Sequence, residues 1–168
     1  MIVKNSLLNS DYIIYQNDDW FKFSLDSVLL ANFVSLNLRC KRIMDLACGN
    51  GAISMLLSLK TNAMIEGIEL QECVYNLGVK SINENGMNNQ IKLVNGDIKN
   101  ILSLYHADSF DTVISNPPYF KLSEESNIND SIQKTIARHE KTITLKCIFR
   151  KINSLRVLFP IIQKTESK

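Results

Sequence analysis

The sequence predicts an α/β fold with a doubly wound, mostly parallel sheet. Two observations carry that expectation. From residue 40 onward, short β-rich runs alternate with stretches of helical spacing. Such alternation implies βαβ units with right-handed crossovers. The first β-rich run also ends in a glycine turn that leads straight into a helical pattern, the place where open parallel sheets hold ligands.

The elements follow in order. Residues 1–22 suit a short β-hairpin or arm. Phe23–Ala31 predicts a helix capped by Ser24, with an apolar stripe at Leu25, Val28, Leu29 and Leu36. Arg42–Leu46 is the first core strand and Ala52–Lys60 the first core helix. Ala63–Glu69 is a second strand. Glu72–Asn85 is a helix that Gly86 stops. Ile91–Val94 is a third strand, Ile98–Tyr105 a short helix and Asp111–Ser115 a fourth strand. Residues 120–130 are polar and loop-like, and helical stretches lie near 131–139 and 144–156. The 168 residues suit one domain. It divides into an N-terminal arm and helix (1–38), a ligand-binding βαβ core (39–120), and a loop with C-terminal helices (121–168).

Composition narrows the class. The chain is 45% hydrophobic and 21% charged, which suits a globular core and excludes disorder. No apolar run approaches the ~20 residues of a membrane-spanning helix. The start, Met1–Ser6, lacks the features of a secretory signal, so a cytoplasmic monomer is expected. The cysteines, Cys40, Cys48, Cys73 and Cys147, form no CxxC pair and have only His106 and His139 for company. Reduced, mostly buried thiols and no metal site are expected. Residues 141–168 hold seven Lys/Arg against one acid, Glu166. This basic tail suits either phosphate contact or a solvated helix face.

Asp45-Leu46-Ala47-Cys48-Gly49-Asn50-Gly51 is the first chemical signal. Glycines let the backbone turn sharply and approach a ligand closely. Glu69 closes the second strand, where its carboxylate can accept from both hydroxyls of a ribose. Gly96-Asp97 puts a further acid on the same edge, able to accept from an adenine amino group. The spacing is AxGxG rather than GxGxxG, and Ser54 stands where a dinucleotide fold needs its third glycine. A nicotinamide-binding domain and a purely structural turn remain open at this point.

Asn116-Pro117-Pro118-Tyr119 is the strongest signal. Proline cannot donate to a sheet ladder, so the fourth strand ends here. A strand terminator explains the prolines, but neither the preceding carboxamide nor the following aromatic. Amine chemistry explains both. The lone pair of an adenine amino nitrogen is delocalised into the ring. Two acceptors on its hydrogens, the Asn116 side-chain oxygen and the Pro117 carbonyl, draw it toward a tetrahedral shape. Tyr119 offers a surface on which the base stacks. Catalysis of this kind is positioning and electrostatics, with an electrophilic methyl as the natural partner. A base in a nucleic acid must leave its stack to enter such a pocket, which favours an unpaired RNA loop.

Together, Asp45–Gly51, Glu69, Asp97 and Asn116–Tyr119 resemble the class I, Rossmann-like methyltransferases with an NPPY signature, whose cofactor is S-adenosyl-L-methionine. Three further segments resemble the bacterial tRNA1(Val) (adenine-N6)-methyltransferase family: Phe23–Ala31, the extension Phe120-Lys121, and Ala137-Arg138-His139-Glu140 followed by Thr142–Leu145. The likeness runs from about residue 5 to about residue 153. It implies methylation of the adenine beside the anticodon of a valine tRNA. By the same resemblance, Asp45, Ala47, Gly49, Gly51, Glu69, Leu70, Asp97, Ile98 and Asn116 meet the cofactor, with Asp26 approaching from the N-terminal helix. Asn116, Pro117 and Tyr119 hold the substrate adenine, and Phe120, Arg138 and His139 face the RNA.

Two departures stand out. Ala47 replaces a glycine that many relatives carry, a change of one methyl group. The resemblance also implies a seven-stranded sheet, whereas four strands are clear here. Val157–Ile162, broken by Pro160, is the sole candidate for another. The expectation is a C-terminally truncated chain whose last strands are missing. The alternatives are an NPPY enzyme acting on DNA adenine or protein glutamine, or an inactive methyltransferase fragment.

Overall fold

A computed structural model of the chain describes residues 1–7, 11–18 and 25–116. Strands β1 (Ile2–Ser6) and β2 (Ile13–Asn17) pair antiparallel as the expected hairpin. Helix α1 (Leu25–Phe33) follows. The core then runs β3 (Arg42–Leu46), α2 (Ala52–Ser58), β4 (Met64–Glu69), α3 (Glu72–Glu84) and β5 (Ile91–Asn95). A 3-10 turn (Ile98–Asn100), the one-turn helix α4 (Ile101–Leu104) and β6 (Thr112–Ser115) complete it. The predicted helix over Ile98–Tyr105 is thus two short pieces, joined at Ile101.

The core sheet is parallel throughout, in the order β5-β4-β3-β6. The chain lays β4 and β5 outward on one side of β3, then returns to place β6 on the other. Strand order therefore reverses between β3 and β6, which opens a crevice above their carboxyl ends.

β3 shows why this sheet forms. Ile43, Met44, Asp45 and Leu46 are all buried, as expected of a parallel strand covered on both faces. Ile43 packs on one side with Met55, Leu57, Ile65, Ile91 and Ile114. Met44 and Leu46 pack on the other with Ile68, Ile98, Ile101 and Phe110. Each such side chain contributes roughly 1.5–3 kcal/mol on burial. Helix α3 ends as the sequence predicts. Gly86 adopts φ +67°, its N–H donates to the Asn83 carbonyl, and the Met87 N–H donates to Ile82. That pair of bonds is a Schellman cap, for which glycine is suited.

Helix α1 departs from expectation. It buries Ser27, Leu30 and Ala31, with Val34 buried just past its end, whereas Leu25 is 68% and Leu29 50% exposed. The small Ser27 and Ala31 let the helix lie close to α2, and the Lys60 ammonium donates to the Ala31 carbonyl at 2.9 Å. Ser24, the expected cap, lies outside the described residues, as do the loop and helices expected beyond residue 120 and the candidate strand at Val157–Ile162. No helix among the described residues is long and apolar enough to cross a membrane.

The hairpin is tethered rather than free. The Tyr15 N–H donates to Ser81 Oγ, and the Asn85 carboxamide exchanges two bonds with the Ile13 backbone. Asn50, in the glycine turn, donates to the Tyr15 carbonyl at 3.0 Å.

Candidate functional site

The turn after β3 requires its glycines. Gly49 has φ +58° and Gly51 φ +78°, a left-handed conformation that side chains disfavour. Ala47 is left-handed as well, at φ +56°. The Cys48 N–H reaches across to the Ile68 carbonyl, so the turn stays tied to β4. A Cβ on Gly49 would meet nothing within 4 Å, so this side of the turn opens on free space.

Two glycines outside the motif seat the turn, and the sequence reading missed both. A Cβ on Gly67 of β4 would come within 2.6 Å of a Leu93 methyl and 2.8 Å of Cys48 Sγ. A Cβ on Gly78 of α3 would stand 3.1 Å from the Asn50 backbone. The available signal was their placement inside a strand and a helix, where glycine weakens an element unless a close approach needs it.

Three carboxylates stand at or near the carboxyl ends of successive strands, Asp45 in β3, Glu69 closing β4 and Asp97 after β5. Asp45 is fully buried; its Oδ2 accepts from Ser54 Oγ at 2.8 Å, while Oδ1 has no partner. Burial raises its pKa to about 7, with the nearby Glu69 charge adding to the rise and the Ser54 bond opposing it. Ser54, read from sequence as a missing glycine, thus holds an acid in place. Glu69 accepts from the Gly49 N–H and the Gln71 N–H, each at 2.9 Å. Burial pushes its pKa up, and those backbone donors pull it down. Asp97 follows β5 and accepts from the Lys99 N–H, capping the 3-10 turn.

Of the other predicted cofactor residues, Leu70 is exposed just past β4, the Ile98 side chain is buried in the second core cluster, and Asp26 lies in the first turn of α1. Cys40 and Cys48 are buried free thiols and Cys73 is an exposed one. Among the described residues no group of His, Cys, Asp and Glu is placed to hold a metal ion.

Asn116 completes the crevice. The register pairs Leu46 with Ser115, which carries Asn116 to the level of Ala47 in the glycine turn. Ser115 Oγ donates to the Leu46 carbonyl at 3.0 Å, stitching the two strand ends where they diverge. The half-buried Asn116 carboxamide donates through Nδ2 to Ser27 Oγ at 3.3 Å. With Nδ2 so engaged, the oxygen is the end of the carboxamide turned away from Ser27. Pro117, Tyr119, Phe120, Arg138 and His139 lie outside the described residues.

The donor set fits S-adenosyl-L-methionine. The Asp45 carboxylate, buried behind the turn, favours a cationic amino acid group nearby. A carboxylate offers about four acceptor sites, so Glu69 retains capacity for a ribose diol after its two backbone bonds. The open side of Gly49 leaves room for close approach.

Comparison with known proteins agrees. The chain is 31% identical over 130 residues to a tRNA1(Val) (adenine(37)-N6)-methyltransferase of Haemophilus influenzae, covering 76% of this chain and 54% of that protein. It is 27% identical over 152 residues to the protein of that name from Parabacteroides distasonis, covering 89% and 60%. It spans roughly half the length of such curated relatives. A crystal structure from Methanococcus maripaludis, described as an S-adenosyl-L-methionine-dependent methyltransferase, superposes with a TM-score of 0.53. That match, at 18% identity, covers 79% of this chain and 50% of the other and shows a shared fold. Residues 22–144 match the model of the methyltransferase small domain, which spans both the glycine-turn crevice and Asn116, and the chain belongs to that family.

Proposed function

We propose that this chain carries an S-adenosyl-L-methionine-dependent methyltransferase activity directed at N6 of an adenine in tRNA, beside the anticodon of a valine tRNA. The observation that carries the reading is the position of the Asn116 carboxamide, level with the glycine turn at the β3/β6 switch point, with its oxygen turned away from Ser27. The names of the two relatives described above, both tRNA1(Val) (adenine(37)-N6)-methyltransferases, support the substrate. A tRNA substrate implies work in the cytoplasm.

When bound, S-adenosyl-L-methionine supplies an electrophilic methyl carbon on a sulfonium. Glu69 would hold the ribose end, and the buried Asp45 carboxylate would favour the cationic amino acid end. Asn116 Oδ1 accepts one hydrogen of the target amine, and the Pro117 carbonyl accepts the other. With both hydrogens so held, the nitrogen lone pair would be directed toward the methyl group that the cofactor supplies. The alkylated nitrogen then gives its surplus proton to solvent. The work is placement and charge stabilisation, so no strong base is needed.

The test is mass analysis of N6-methyladenosine in valine tRNA after incubation with protein and labelled cofactor. Duplex DNA and a glutamine peptide serve as competing substrates. Label on the tRNA adenine is expected; label on DNA or peptide alone would replace this reading. Asn116→Ala is expected to abolish transfer while cofactor affinity, followed by titration calorimetry, stays within a few-fold. Loss of both together would count against the role of Asn116.

A further inference from the structure

Ser27 is a polar residue in the buried stripe of α1, only 5% exposed, among Leu30, Ala31 and Val34. A hydroxyl in such a setting is unfavourable unless it finds a hydrogen-bond partner. Its oxygen accepts from a residue 89 positions away, Asn116, through Nδ2 at 3.3 Å. The reading of the sequence placed Ser27 within a helix and gave it no role.

The bond matters because a carboxamide has two unlike ends. With Nδ2 donated to α1, the oxygen is available to the crevice. Rotated half a turn, Asn116 would present an N–H to the hydrogens of an amine, donor against donor. In the structure the Ser27 oxygen accepts from Nδ2, and that bond holds one orientation of Asn116. Ser115, bonded to Leu46, fixes the same strand end from the sheet side. We infer that Ser27 is a positioning residue whose hydroxyl turns the Asn116 oxygen toward the amine to be methylated. This rests on the function proposed above and adds the residue that sets its geometry.

The experiment compares wild type, Ser27→Ala and Ser27→Thr in the full chain. Alanine is the stronger helix former and fits the buried face, so folding is retained. Two readouts are taken. The first is kcat and KM for methylation of a valine tRNA transcript. The second is the 15N–1H signal of the Asn116 side-chain amide, identified by its loss in Asn116→Ala and recorded without cofactor or RNA. Ser27→Ala is expected to lower kcat roughly 10- to 100-fold with little change in KM for cofactor, the scale of a misplaced catalytic group. It is also expected to shift the amide signal toward that of a free carboxamide. Ser27→Thr, which keeps the hydroxyl, restores both. An unchanged amide signal, an unchanged kcat, or a threonine variant as impaired as alanine would overturn the inference. Wild-type protein that methylates no substrate would retire the function proposed above, and the amide signal would still decide the role of Ser27.

Discussion

Glu69→Gln is the most telling substitution in the cofactor half of the crevice. Glu69 accepts two backbone N–H groups, one from Gly49 in the turn and one from Gln71 beyond β4. A glutamine retains one oxygen, so its amide nitrogen must face one of those donors. One bond is lost and one partly buried N–H is stranded, a cost of roughly 1–3 kcal/mol. Removing the charge relieves the burial that raises the Glu69 pKa, so the net loss lies toward the lower end of that range. For a chain of this size about 1 kcal/mol lowers Tm by ~2–4 °C. The effect on ligand should be larger. Losing one charge-assisted bond to a ribose hydroxyl, roughly 1.5–3 kcal/mol, weakens binding about 10- to 100-fold. Thermal unfolding followed by circular dichroism gives the first quantity, and calorimetric titration with S-adenosyl-L-methionine gives the second. Cofactor affinity within twofold of wild type would refute the assignment of Glu69 to the ribose.

Ala47→Gly is expected to stabilise the protein. A left-handed alanine costs about 1–2 kcal/mol, and the extra freedom of an unfolded glycine takes back about 0.4–1 kcal/mol. A net gain of roughly 0.5–1 kcal/mol should appear as a higher urea midpoint; a lower one would contradict the turn geometry at residue 47. Asp45 should make stability depend on pH. Its folded pKa of about 7 exceeds the ordinary value of 3.8, so its contribution is fully present below about pH 4 and is lost as pH rises toward 7. Asp45→Asn should therefore flatten the decline in urea midpoint between pH 5 and pH 8. Parallel profiles for wild type and variant would show that Asp45 is not the group responsible.

The legible parts of the fold were those with a local cause. The four core strands announce themselves through apolar runs, and β3 to β6 lie where the sequence put them, within a residue or so. Gly86 ends α3 because only a local left-handed turn was at issue. Glu69 and Asn116 were legible because each stands directly after a strand, and strand ends in a parallel sheet share an edge. The missed residues depend on what approaches from elsewhere. Nothing around Gly67 or Gly78 in sequence reveals that Cys48 and the Asn50 backbone will press against them. Helix α1 was misjudged for a related reason. Counting apolar residues selects the face with Leu25 and Leu29, but close packing on α2 selects the one with Ser27 and Ala31, because small side chains let the helices approach. Ser54 reads as an absent glycine until Asp45 is seen beneath it.

The crevice is also where the fold tolerates its least favourable features. Ala47 takes a backbone conformation suited to glycine. Asp45 is buried beside a second carboxylate with one oxygen unpartnered. Ser27 places a hydroxyl in an apolar stripe that alanine would fill more favourably in a helix. None of these is what packing alone would select, and each has a reason once a ligand is considered: a turn open to close approach, a negative charge behind it, an anchor for a carboxamide. Local rules broken together around one end of the sheet are a physical signature of a functional site. That signature comes from torsion angles, burial and hydrogen bonds alone. It would mark the edge between β3 and β6 as the working end of the molecule even if no relative had been found.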